Sequence, residues 1–249
     1  MTLEDFKRDC DYIKSSHDNY YQSNERLMKY CQSVLGKCRE TMDDKDFAEV
    51  LETYRSSIPS ERRYAKEQRN AVEEKVNVYR RLAHENLGKY GDKWASNLHS
   101  LACGYEGDDA ITHYEMCIEI YQQLEKECGQ TDSFFLADCY CHAAREYLNK
   151  GDETKCLQYL SNAFEIHRQR QDTFNMAAIY YDFGVAYHLM GRKSEAIDSL
   201  HKAIETIKMD SDKENDWNEG HEGLTDDCMT ILKEVLLGRD LPPEKMYFM

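Results

Sequence analysis

Four side chains in this chain have the type and spacing to hold a metal. His99 and Cys103 stand four residues apart, and Cys139 and His142 stand three apart. On a helix each pair would share one face, and imidazole with thiolate suits zinc. The apparent Cys139-x-Cys141 motif weakens that idea, because on a helix those two side chains point about 200° apart. Buried thiols and hydrogen-bonded imidazoles account for all four residues, so no metal and no other cofactor is expected. Catalytic signatures are equally thin. There is no Gly-rich phosphate loop, no His-Glu-x-x-His and no Gly-x-Ser-x-Gly. His221-Glu222-Gly223 has no second ligand pair. The 47 acids are explained by solvated helix faces. The chain is expected not to be an enzyme.

Any such residues must be carried by helices. With three prolines and twelve glycines in 249 residues, the composition favours an all-α chain. Residues 3–38 read as one long polar helix, with Thr2 and Asp5 as a capping pair. Asp43 or Asp44 starts a short helix that Ile58-Pro59 stops. Ser60 caps a third segment, Glu61–Leu87, whose Val72, Val76, Tyr79, Ala83 and Leu87 make one apolar face. The turn Gly88–Gly91 is expected to end it. Helix pairs follow: Lys93–Cys103 with Asp109–Glu127, Ser133–Asn149 with Glu153–Arg170, and Phe174–Met190 with Ser194–Met209. Gly104, Gly107, Gly151 and Gly191 stand in the turns between the members of each pair. Asp210–Asp227 reads as a solvated acidic loop. Thr225–Leu237 reads as an amphipathic helix covering the last pair, before an apolar tail.

The net charge is −15. That charge repels phosphate backbones and anionic lipid, so no nucleic acid and no membrane surface is expected as partner. A basic segment of a protein partner would be attracted. The ten cysteines are scattered through helical patterns and do not make a disulfide framework. The N-terminus has no apolar signal core, and no stretch of about 18 apolar residues occurs. A cytoplasmic or nuclear setting is expected.

One pattern recurs. Tyr180, Phe183, Gly184, Tyr187, Gly191, Ala196, Leu200 and Ala203 match Tyr140, Ala143, Ala144, Tyr147, Gly151, Cys156, Leu160 and Ala163 about 40 residues upstream. A weaker copy runs through Trp94, Leu98, Leu101, Ala110, Tyr114 and Cys117. Small residues let two helices approach, and the large ones fill the gaps beside them. The pattern resembles the tetratricopeptide repeat over about residues 91–210. The offsets exceed the standard repeat of about 34 residues, which resembles the extended variants of that family. The usual Pro near each repeat's end is replaced by Arg168 and Lys208.

The resemblance implies a right-handed superhelical stack of antiparallel helix pairs, with N-terminal helices in 1–90, repeats plus a capping helix in 91–238, and a tail in 239–249. It also implies a concave groove lined by the first helix of each pair, which presents a peptide- or helix-binding surface. Carried over by position, the groove face holds Asp138, Cys141, Arg145 and Leu148 in one repeat, and Ala178, Tyr181, Val185 and His188 in the next. The weak repeat offers Asp92, Ala95, His99 and Ala102. Of these, Asp138, Cys141, Arg145, Leu148, Tyr181, Val185, His188 and His99 are the candidate partner-binding residues. The basic pair with which chaperone-binding members clamp a C-terminal carboxylate is absent, since Arg145 alone is basic. A protein-binding adaptor or scaffold is therefore expected.

Two alternatives come from other features. Phe135–Leu148 loosely resembles the peptide-contacting helix of the 14-3-3 family, with Arg145 as a groove arginine. Glu146, Glu85 and Gly91 stand where that family's Tyr, Lys and Arg would be, and a carboxylate repels phosphate. The polar segment 3–38 could instead seat the chain as a structural subunit of a larger complex.

Overall fold

A computed structural model describes residues 1–15, 20–129, 133–211 and 218–241. Among them the regular structure is helical throughout: eleven α-helices and one 3-10 turn. They are α1 (Leu3–Ser15), α2 (Tyr20–Cys38), α3 (Asp44–Ser57), α4 (Ala65–Glu85), α5 (Leu87–Ala102), α6 (Gly107–Cys128), α7 (Ser133–Asn149), α8 (Glu153–Arg170), α9 (Thr173–Leu189), α10 (Lys193–Ser211) and α11 (Asn218–Leu237). Neighbours in sequence pack together, most closely in the pairs α4–α5, α7–α8 and α9–α10, as in an α-solenoid. No helix of the described residues is long and apolar enough to cross a membrane. The chain forms two compact units: residues 1–104 with 119–130, and residues 105–118 with 131–249.

The first unit differs from its sequence reading in two main places, besides the third segment, whose helix α4 begins at Ala65 after the 3-10 turn Arg62–Tyr64 and not at Glu61 behind a Ser60 cap. The expected single helix 3–38 is instead α1 and α2 packed on each other. Phe6 stacks on Tyr30 at 5.8 Å, and the Tyr30 hydroxyl donates to Asp9 at 2.7 Å. Each helix has its own narrow apolar stripe, Phe6 and Cys10 on one, Leu27, Cys31 and Val34 on the other, and each buries it in the same core. The second difference lies at Gly88–Gly91, which does not end a helix. The break falls at Asn86, whose side chain accepts from Lys89 N at 3.0 Å and caps α5. Both glycines lie inside α5. A Cβ on Gly91 would meet Leu124 Cδ2 at 2.9 Å, and one on Gly88 would meet Cys128 Sγ at 3.2 Å. The missing side chains let α5 press against the second half of α6, at the conformational cost a helical glycine carries. α3 starts where expected, with Asp43 accepting from Asp46 N at 2.8 Å.

In the second unit α7 to α10 fall within a residue or two of the expected segments. α11 starts at Asn218, so half of the expected acidic loop is helix, while residues 212–217 lie outside the described residues. The helix starts early because Leu224 already belongs to its buried stripe, with Cys228, Ile231, Leu232 and Val235. This stripe packs on α9 and α10. Residues 242–249 of the tail lie outside the described residues as well.

Candidate functional site

The recurring residues are the contacts that close each helix pair. In α9–α10, Ala177, Ala196, Leu200 and Ala203 are fully buried. A Cβ on Gly184 would sit 2.6 Å from Leu200 Cγ, so only glycine lets α10 approach this closely. Gly191 ends the hairpin at φ 74°, a left-handed conformation that suits glycine. In α7–α8, Ala143, Ala144, Cys156, Leu160 and Ala163 are equally buried. The larger members join one pair to the next. Tyr180 meets Phe164 of α8 with ring centroids 4.8 Å apart. Asp172 caps α9, accepting from Asn175 N at 3.2 Å, and its other oxygen lies 3.1 Å from the buried His167. The His167 hydrogen bond, with those from Asn175, brings the Asp172 carboxyl down to about 2.

A polar network invisible in the repeat pattern ties α6 to α7 and α8. Glu115 accepts from the Tyr147 hydroxyl and, at 2.9 Å, from the Tyr159 hydroxyl. Lys155 Nζ lies 3.4 Å from the same carboxylate and 2.7 Å from the Tyr147 oxygen. Burial works against the charge of Glu115, but the two hydroxyls and the ammonium hold its carboxyl below the usual range. Burial first, then that carboxylate, pushes both phenols above their usual range. Glu146, buried on α7, accepts from Gly107 N at 2.9 Å and so holds the start of α6. Nothing in spacing pointed to Glu115, Tyr159, Lys155 or Glu146, because their partners lie far along the chain.

The candidate groove residues divide by accessibility. On α7, Asp138, Arg145 and Leu148 are half-buried, and their spacing of seven and three keeps them on one face. Asp138 Oδ1 is 3.5 Å from His142 Nε2, and His142 stacks on Tyr114 at 5.3 Å. Arg145 Nη2 is 3.5 Å from Glu146 Oε1. Cys141, between them in sequence, is fully buried. Its thiol is pushed well up by burial, then by the carboxylates of Asp182 and Asp138. On α9, Ala178 and Val185 are fully buried and Tyr181 is 4% exposed. Burial, then the nearby Asp227 of α11, raises the Tyr181 phenol above its ordinary range. His188 Nε2 lies 2.7 Å from the Arg239 carbonyl, and Lys193 Nζ donates to the Leu236 carbonyl at 3.1 Å. The C-terminal end of α11 and the residues after it therefore lie beside this end of α9–α10. His99 belongs to the first unit, with its Nδ1 4.0 Å from Cys103 Sγ.

All ten cysteines are free thiols. Burial pushes those of Cys156 and Cys228 up to about 12, so both are protonated near neutral pH and are poor nucleophiles. Cys139 is fully buried and His142 nearly so.

The sequence model of the tetratricopeptide repeat matches residues 177–207, which is the α9–α10 pair. No curated protein matches the chain significantly. Among solved structures, the crystal structure of BtubC (BKLC) from P. vanneervenii is similar at 14% identity, over 97% of this chain and 93% of that one, with a TM-score of 0.36. Residues 177–207 thus carry one tetratricopeptide repeat, a unit that in general serves protein interaction.

Proposed function

We propose that this chain is a non-enzymatic adaptor whose second unit holds a peptide or helix of a protein partner. The observation that carries the proposal is the repeat at 177–207. Its neighbour α7–α8 is built from the same kinds of packing residue and keeps a half-open face of Asp138, Arg145 and Leu148. Those three give one anionic, one cationic and one apolar contact in a row of about three helical turns. Asp138 takes a basic side chain of the partner, in keeping with the net charge of −15. Leu148 takes an apolar one. Arg145, alongside Glu146, offers its other N–H groups to backbone carbonyls. The α9 end of the face is filled by α11, so the partner docks on α7. Ten free thiols fit work in a reducing compartment, cytoplasmic or nuclear.

The test compares immobilised full-length protein with the double variant Asp138→Lys, Leu148→Asp, each checked for an unchanged melting temperature. Capture of a defined partner from lysate by the first and not by the second is expected. Equal capture by both contradicts this assignment.

A further inference from the structure

The last helix of the second unit, α11, buries one side and leaves the other open. Leu224, Cys228, Ile231, Leu232 and Val235 face the fold. On the outer side Met229 is 55% exposed, Leu236 57% and Leu237 55%, whereas no other helix of the described residues leaves more than one large apolar side chain exposed. The described residues after the helix do not cover this side. Gly238 turns the chain at φ 66°, the Arg239 carbonyl lies 2.7 Å from His188 Nε2 of α9, and Leu241 is buried. The chain leaving α11 therefore runs back toward α9.

The charges on the outer side follow a fixed order. Glu222, Asp226, Met229, Lys233 and Leu237 recur at steps of four, three, four and four, which is one helical face. All five are exposed. The stripe is acidic toward the start of the helix, apolar at Met229, and cationic at Lys233 toward its end. Among the described residues the side chains of Asp226 and Lys233 make no ion pair or hydrogen bond. They stand about 10 Å apart along the helix, too far to pair with each other.

The geometry points to this face as a contact between two copies of the chain, α11 on α11, antiparallel about a two-fold axis beside Met229. In that register Asp226 of each copy faces Lys233 of the other, so one isologous contact forms two ion pairs. A parallel pairing would set Asp226 on Asp226 and Lys233 on Lys233, which repel. Met229 packs on Met229 at the axis, where a flexible thioether adapts to its own kind. Leu236 and Leu237 lie along the aliphatic stem of Glu222 of the second copy. The contact runs along about 22 Å of helix. A single helix pair of that length stays below the roughly 1,200 Å² of a stable interface, so copies exchange with a dissociation constant on the order of 10–100 μM. The net charge of −15 on each copy opposes association. At physiological ionic strength the screening length is about 8 Å, so the facing pairs outweigh the distant acids. The contact uses no residue of the α7 face and stands or falls without it.

Sedimentation velocity of the full chain tests it, at physiological salt and from about 1 to about 300 μM protein. The sedimentation coefficient is expected to rise with concentration from the monomer's value toward the dimer's. Met229→Asp and Asp226→Lys should each weaken association about tenfold or more at an unchanged melting temperature, since both side chains are exposed. The double variant Asp226→Lys, Lys233→Asp exchanges the two charges and should restore it. Tyr12→Ser, at an exposed aromatic of the other unit, should leave it unchanged. The inference is overturned if the chain stays monomeric at about 300 μM, if Met229→Asp associates as the parent does, or if the double variant associates no better than Asp226→Lys.

Discussion

The helix pairs α7–α8 and α9–α10 pack through residues at matching positions but differ in how far the face beside them stays open. Leu160 and Leu200 occupy equivalent places, and both are fully buried. Yet at matching positions Asp138 and Arg145 stay half-open where Ala178 and Val185 are sealed, while Cys141 and Tyr181 are both buried and Leu148 and His188 both half-buried. The difference comes from what packs next. α9 is covered by α11, whose Asp227 and Cys228 lie near Tyr181. A repeat pattern therefore specifies how two helices meet, and the next element decides whether the face beside them is a surface.

The largest expected effect tests whether the two pairs are equally committed to their cores. Leu160→Ala and Leu200→Ala should each cost about 2–5 kcal/mol, measured by chemical denaturation. A large gap between them would break the equivalence. The next concerns the caps. Asp172 meets a buried imidazole as well as Asn175, whereas the Asp152 side chain caps α8 by accepting from Lys155 N at 3.0 Å. A carboxyl brought down from 3.8 to about 2 stabilises the fold by about 2 kcal/mol at neutral pH. That contribution is complete above the unfolded value and is lost as the pH falls from about 4 to 2. Asp172→Asn should remove that part of the acid sensitivity, read as melting temperature against pH. Asp152→Ala should cost about 1 kcal/mol, the ordinary value of an N-cap. The smallest effect sharpens the contrast between packing and surface: Arg145→Ala should change stability by less than about 0.5 kcal/mol, yet weaken partner binding.

Much of the second unit was legible in the chain. Gly184, Ala196, Leu200 and Ala203 set the register of α9 and α10, because small residues at helical spacing have few other uses. The first unit was harder for a definite reason. Gly88 and Gly91 look like a turn in sequence, and only the nearness of Leu124 and Cys128 makes them packing residues. The sequence placed a capping helix over the last pair, but its spacing did not tell that α11 would lie beside Tyr181 and bury it. Glu115 could not be paired with Tyr147 and Tyr159 from spacing, because the contacts join three helices.

Site-specific photo-crosslinking tests the central claim most directly. A benzoylphenylalanine at position 148, 181 or 12 of the full chain is irradiated in lysate, and adducts are identified by mass spectrometry. Leu148 is half-open on α7, Tyr181 is sealed under α11, and Tyr12 is 78% exposed on α1. A partner adduct from position 148, absent from 181 and 12, is the predicted result. The same adduct from position 12, with none from 148, would contradict the account.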